Sequence, residues 1–357
     1  MFGQAIRFSS KQYYLITARG ILSYPHDDSV EINPRVRGLQ KVLQFHSLLY
    51  IRGRPIWLYP RTPAIPRHPW ALCQWQQPGE WFYQHTGVRR VGITLHLSTI
   101  LPCGILVIFQ FIPSIRHRAI LFHRINGYLI ITLFLASNAG ALLIARHAFG
   151  GGHEVQLGIG LLVLISTISV CMAYYNIRCL QIEQHRAWML RTMFYMGSIV
   201  TIRPLQEIIL RITSKLGTYY EVWSCEKIDY TWKFYKIPVS YLVAYPMCAP
   251  PPNGTQLPPG YDPVSIVKAD NNGMGPAEIG ANINISFGLA LWISLFLHIV
   301  GVEIYLQLTP RESQRLRMVS YERQKEAGYT NPGNAGLVVQ KFGDAEPWLP
   351  SVEAGRV

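Results

Sequence analysis

Two stretches of this chain, LIITLFLASNAGALLIA (Leu129 to Ala145) and LGIGLLVLISTISVCMA (Leu157 to Ala173), carry no charged side chain at all. Neither alternates with period two, so neither reads as a half-buried strand. A bilayer core about 30 Å thick is crossed by roughly 20 apolar residues in a helix, the form that satisfies its own backbone groups in lipid. Extending the search gives five spans, at about 92–113, 125–147, 156–175, 187–210 and 284–308. The fourth is the least pure, because it contains Arg191 and Arg203. The expected fold is therefore an all-α integral membrane bundle, with a four-helix core, a fifth transmembrane helix and a lumenal loop. Composition agrees: 49% of residues are hydrophobic and only 15% charged, against about 25% charged in soluble domains.

The net charge of +13 raises the question of nucleic acid. No zinc-finger spacing, aromatic RNA-binding signature or basic helix accompanies it. The excess is read instead as loops flanking membrane spans. Arg116, Arg118 and Arg124 join spans one and two, Arg178 and Arg186 join spans three and four, and Arg311, Arg315 and Arg317 follow span five. The link AFGGGHE between spans two and three has neither Lys nor Arg. By the positive-inside rule the basic links and the C-terminus are cytosolic. The connection 213–282 is then lumenal or extracellular, in the secretory pathway or at the plasma membrane. That segment holds Cys225 and Cys248, a pair suited to a disulfide in an oxidising compartment, and a glycan acceptor at Asn253-Gly254-Thr255. A second acceptor pattern, Asn284-Ile285-Ser286, lies too close to a span to be used. Cys73, Cys103, Cys171 and Cys179 show no pairing pattern.

Residues 1–78 are basic and rich in proline, with no span and no signal-peptide core. The orientation places them outside, which leaves three readings: a helix missing upstream, a misassigned gene start, or a poorly ordered arm. The core domain is 79–308. The polar tail 309–357 is expected to form a short helix followed by disorder.

Ionisable groups inside spans are costly and mark the bundle interior. His96 and Gln110 share a stripe on span one; Arg203 and Glu207 are four residues apart on span four, the spacing of an ion pair. His298 lies midway along span five. His123 and His185 open spans two and four at the same, cytosolic boundary. His96 lies roughly 25 Å away, nearer His147 and His153. Two histidines level on facing helices are the expected ligands of a b-type haem or of a transition metal. His123 and His185 form the inner pair, His96 marks an outer site, and Arg124, Arg186 or Arg191 would neutralise propionates. Histidines at a lipid boundary also serve as plain anchors. Gly150-Gly151-Gly152 is read as a tight turn, not a phosphate cradle.

The motifs LHLSTILPCGILVIFQFIPSIRH, HRINGY, NAGALLIARHAFGGG and QHRAWMLRTMFYMGSIVTIR resemble, in that order, the fungal branch of a predicted multi-pass membrane family, domain of unknown function 2306. The resemblance covers about Gly79 to Leu308. It implies that His96, Gln110, Arg116, His123, Arg124, Gly127, His185, Trp188, Met189, Arg191 and Arg203 are the family's polar set. It departs at the front, where relatives carry a further hydrophobic helix. It supplies no reaction.

Three functions compete. One is a haem redox protein with a redox partner. The second is a membrane enzyme using a non-haem metal or acid–base histidines on a lipophilic small molecule, with Tyr128, Trp188 and Met189 lining its cavity. The third is a non-catalytic transporter or assembly factor. No soluble-enzyme template is present: no G-x-S-x-G, H-E-x-x-H, P-loop or dinucleotide fingerprint. Substrate and oligomeric state are left open.

Overall fold

The computed structural model describes residues 15–17, 20–22, 77–251, 262–273 and 275–350. The chain divides into two units, Met1–Ala71 and Leu72–Val357. In the first, the described residues are two short antiparallel strands, β1 (Leu15–Thr17) and β2 (Gly20–Leu22), with Leu15 opposite Leu22. The rest of the proline-containing segment 1–78 that was singled out lies outside the described residues, apart from 77 and 78.

The second unit is built on five long helices. After a single helical turn at Trp81–Gln84 come α1 (Gly87–Gln110), a short α2 (Pro113–Arg118), α3 (Ile120–Ile144), α4 (His153–Arg178) and α5 (Ile182–Leu216). Then follow β3 (Tyr220–Ser224), α6 (Cys225–Phe234), β4 (Val264–Lys268), α7 (Pro276–Gln307) and α8 (Pro310–Glu326). Among the described residues, α1, α3, α4 and α7 are long and apolar enough to cross a membrane. The expected all-α membrane bundle is the observed fold. α5 is 35 residues long, so length suffices, but Arg191, Arg203, Glu207 and Arg211 lower its apolarity. It runs unbroken through Pro204 and packs along both α4 and α7. Arg191 and Arg203 meet protein there, while Arg211 is exposed and pairs with Glu207 of the same helix.

The helices alternate in direction. One end of the bundle gathers the start of α1, the turn 148–151, β3 and the start of α7; this is the disulfide end. The other gathers the α4–α5 turn and the tail. Close approach of α1 and α3 depends on two glycines: a Cβ on Gly140 would lie 2.7 Å from the His96 nitrogen and 2.8 Å from the Gly92 oxygen. Small residues at such crossings let backbones touch in lipid. Cys103, Ile130, Phe134 and Val170 fill the space between α1, α3 and α4, with Met193 and Met196 of α5 against them.

Connection 213–282 is more than a loop. β3 and β4 pair antiparallel, Val222 opposite Ile266. Trp223, Ile228, Trp232, Tyr245 and Val267 close a core with Ala277 and Ala281 of α7. Ser224 caps α6, its hydroxyl accepting from the Lys227 N–H. Cys225 and Cys248 form the expected disulfide, with a sequence separation of 23. Reducing it, or replacing both cysteines by serine, is expected to cost on the order of 3 kcal/mol, from the freedom returned to the unfolded loop. Thermal melts with and without dithiothreitol measure this. Asn253 lies outside the described residues. Asn284 is buried, 4% exposed, so its acceptor sequence is not accessible for glycosylation in the fold.

The tail corrects an expectation. Disorder after α8 was expected because the segment is polar, yet 327–350 folds back on the α4–α5 turn. Gln324 donates to the Cys179 carbonyl at 3.0 Å and to Gln181 Oε1 at 2.8 Å, and accepts from the Gly333 N–H at 2.7 Å. The Leu337 N–H donates to Asn176 Oδ1 at 2.8 Å, and the Ile182 N–H to Ser320 Oγ at 2.9 Å. Asn176, Gln181, Ser320 and Gln324 are all fully buried. Specific hydrogen bonds order this segment together with buried Val338 and the Tyr321–Trp348 ring contact.

Candidate functional site

At the disulfide end the chain buries three charged side chains together. Glu80 precedes α1 and Glu221 lies on the inner face of β3. Lys227 is in the first turns of α6. Glu80 and Lys227 are 5% and 2% exposed. Burying an unpaired charge is very costly, so partners are needed. The turn between α3 and α4 brings the backbone of Phe149 and Gly150 to the Glu80 carboxylate, where it opposes the effect of burial. Both residues take left-handed backbone, with φ of 48° at Phe149 and 81° at Gly150. For a bulky residue such as Phe149 that is a strained conformation, held by stacking on Phe287 at 3.5 Å between centroids. A side chain on Gly150 would also run into Glu221 Oε1, at 2.7 Å. The glycine run is a tight turn, as its sequence suggested, and it packs against Glu221 and Asn284.

Asn284, from the start of α7, donates to both Glu221 oxygens, at 3.0 and 2.9 Å. Gln84 donates to Glu80 Oε2 at 3.3 Å. The Lys227 ammonium sits over the Trp223 ring at 3.7 Å and 5.3 Å from the centre of the Tyr83 ring, and the opposite face of this group is the stacked Tyr83–His147 pair, 4.6 Å apart. Burial pushes the Glu80 carboxyl up to about 7, with Lys227 and the backbone of Phe149 and Gly150 opposing. Burial likewise raises Glu221 against the pull of Lys227. It lowers Lys227, while Glu221 and Glu80 hold its charge. Of the three, Glu80 is the acid that exchanges a proton near neutrality, the property required of a general acid.

The histidines singled out in the sequence are placed as follows. His185 opens α5, and its Nδ1 is 2.9 Å from the Ala173 carbonyl of α4. His96 Nδ1 is 3.1 Å from the Ser137 carbonyl of α3 and 2.9 Å from the Ser137 hydroxyl. A carbonyl only accepts, so in both rings Nδ1 bears the hydrogen and Nε2 keeps its lone pair. His123 lies in the first turn of α3, and its carbonyl accepts from Gln110 Nε2 at 3.1 Å. His298 Nε2 is 2.8 Å from Thr201 Oγ1. His147 stacks on Tyr83, and His153 is exposed at the start of α4. Arg124 is exposed, and the Arg116 side chain lies outside the described residues. Arg191 makes a bidentate pair with Glu303 of α7, at 2.7 and 2.9 Å, and lies over Trp188 at 4.6 Å. Glu207 is paired with Arg211 at 2.7 Å. Arg203 donates to Gln206 Oε1 at 3.3 Å and lies 5.7 Å from the centre of the Phe149 ring. Among the described residues, no three His, Cys, Asp or Glu side chains converge on a metal position.

Glu80, Glu221 and Lys227 were not singled out in the sequence. They are separated by up to 147 positions along the chain, and no local spacing links them. The available hint was the charged tetrapeptide around Lys227, CEKI, beside a cysteine that forms a disulfide.

Residues 93–226 match the family model described as "Predicted membrane protein (DUF2306)", so the resemblance read from the motifs stands over that segment. It takes in α1 from residue 93 onward, α2 to α5 and Glu221, and stops short of Glu80, Lys227 and α7. A curated relative, "Ava biosynthesis cluster protein G" of Aspergillus versicolor, is 24% identical over 250 residues, or 61% of this chain and 69% of the relative. No solved structure matches.

Proposed function

We propose that this chain is a membrane-embedded biosynthetic enzyme, which transfers protons to or from a lipophilic small molecule at the Glu80–Lys227–Glu221 cluster. The observation that carries the reading is Glu80, a buried carboxyl poised at about 7 beside a buried lysine. The protonated carboxyl gives its proton to the substrate. The carboxylate that remains is held by Lys227 and by the backbone of Phe149 and Gly150, and recovers its proton from solvent. The relative's name, a biosynthesis cluster protein, supports a place in a biosynthetic sequence. In this reading the disulfide end faces the lumen or exterior and the tail faces the cytosol, supported by the disulfide and the basic links. The test replaces Glu80 by Gln in the native host and follows small-molecule products by mass spectrometry, with membrane levels of the protein checked by immunoblot. A fall in one product of about 100-fold or more, the usual contribution of a general acid, with normal protein levels, supports the reading. An unchanged profile overturns it.

A second reading keeps the histidines. A haem b or a transition metal at His123 and His185, with His96 at a separate outer site, is favoured by the His185 ring, whose Nδ1 bond to a carbonyl is the usual arrangement behind a ligating Nε2. Purified protein would then show a Soret band, or bound metal, lost in His185→Ala.

A further inference from the structure

The buried cluster holds polar atoms that find no partner in the protein. Among the described residues, Glu80 Oε1, Gln84 Oε1 and Asn284 Oδ1 are enclosed and accept no hydrogen bond. Each of these three residues is at most 5% exposed. Lys227 presents the matching donor. Its ammonium lies 3.7 Å from the centre of the Trp223 ring, and among the described residues it makes no hydrogen bond and no direct ion pair with Glu80 or Glu221.

These groups are neighbours. Gln84 is bonded to the other oxygen of Glu80, and Asn284 to both oxygens of Glu221. Gly150 reaches both acids: its backbone bears on Glu80, and a Cβ on it would lie 2.7 Å from Glu221 Oε1 and 3.0 Å from Asn284 Nδ2. Gly79, next to Glu80 in the chain, packs on Lys227, whose Cε would lie 2.8 Å from a Cβ there. Buried polar groups in folded proteins are almost always paired, with protein or with ordered water. A buried ammonium and a buried carboxyl that belong to one cluster without touching call for an oxygen between them that both accepts and donates. Exposure separates the two acids. Glu80 is shut away, whereas Glu221 is only partly buried and is the one that meets bulk solvent.

We propose that a bound water molecule bridges Lys227, Glu80 and Glu221, and that Glu221 is the relay through which Glu80 recovers the proton it gives away. The water accepts from the Lys227 ammonium and donates to Glu80 Oε1. Once Glu80 has protonated the substrate, the water passes one hydrogen to the Glu80 carboxylate and takes one from the protonated Glu221 carboxyl. It is then water again, and Glu221 draws its replacement proton from bulk solvent. One O–H bond forms for each that breaks, and no further reactant enters. Asn284 fixes Glu221 in place through its bonds at 3.0 and 2.9 Å. This inference rests on the reading of Glu80 as the reacting acid, and supplies that acid's proton source.

The test is infrared difference spectroscopy of the detergent-purified full chain between pH 6 and pH 8, in ordinary water and in water labelled with oxygen-18. Ionisation of Glu80 is expected to bring with it an O–H stretching band that shifts in the labelled solvent, and Glu80→Gln is expected to lack both signals. A Glu80 carboxyl band with no label-sensitive O–H band beside it overturns the bridge. The relay is read from the order of events after a rapid drop in pH. In the wild type the Glu221 carboxyl band, identified by its shift in Glu221→Asp, is expected to rise before that of Glu80; a Glu80 band that rises first overturns the relay and needs no variant to fold. Glu221→Gln is expected to slow the Glu80 band by about 100-fold, the usual worth of a positioned proton-transfer group, with its final amplitude kept. A purely structural role would change the amplitude and leave the rate, and an unchanged rate overturns the relay. Neither measurement uses a substrate, so an unaltered product profile of Glu80→Gln in the host and a missing water band in the purified chain are separate failures.

Discussion

Lys227→Met is expected to lower the unfolding free energy by about 3–5 kcal/mol at pH 7, the usual cost of removing one partner from a buried charge cluster. Methionine matches the lysine stem in size and keeps its contact with Trp223, so the loss is electrostatic. The carboxyls of Glu80 and Glu221 then have no cation, and acid should restore the fold by protonating them. Glu80 gives the complementary result. Its folded value of about 7 lies above the ordinary 4.5. A carboxyl raised in this way contributes its stability in full below pH 4.5, and loses it as pH rises through 7. Between those limits the wild-type chain is expected to lose roughly 3 kcal/mol. Glu80→Gln, neutral at every pH, should remove that slope and melt higher than wild type at pH 8. Melting temperatures from pH 4.5 to 8 for the three proteins decide the matter. A Lys227→Met loss that acid does not relieve would show that packing, not charge, holds the cluster.

Gln324→Ala is expected to cost about 4 kcal/mol at the opposite end. The side chain makes three hydrogen bonds in a dry setting, to Cys179, Gln181 and Gly333. Truncation strands the Gly333 N–H and the acceptors at Cys179 and Gln181, each orphaned group costing about 1–3 kcal/mol. Loss of volume adds a smaller amount. The readout is limited proteolysis: cleavage between residues 327 and 350 should accelerate by two orders of magnitude or more while α7 stays protected. Gln324→Glu, similar in shape but charged, should fare no better.

The bundle was legible because lipid imposes a simple rule, and charge-free runs such as 129–145 admit one structure. Each of α1, α3, α4 and α7 overlaps one of the apolar runs, with α7 starting eight residues before its run. Helix starts come earlier than the apolar runs because residues such as Gly87 to Arg90 wind into the same helix beyond the hydrocarbon. The disulfide was legible because two cysteines stood in the same extramembrane segment. Glu80 beside Lys227 was not legible, because their meeting depends on β3, β4 and a strained turn that no periodicity announces. The tail was misjudged for a related reason. Polar composition disfavours an apolar core, but Gln324 finds Gln181, and Asn176 finds the Leu337 N–H, at long range.

α7 belongs to both ends. Asn284 grips Glu221 near its start, and Glu303 grips Arg191 near its finish. The distance between those two grips is about 28 Å along the axis, close to the thickness of the hydrocarbon slab. A helix is stiff along its length, so the rod behaves as a pushrod clamped at each surface. The two contacts tie one end of α7 to β3 and the other to α5.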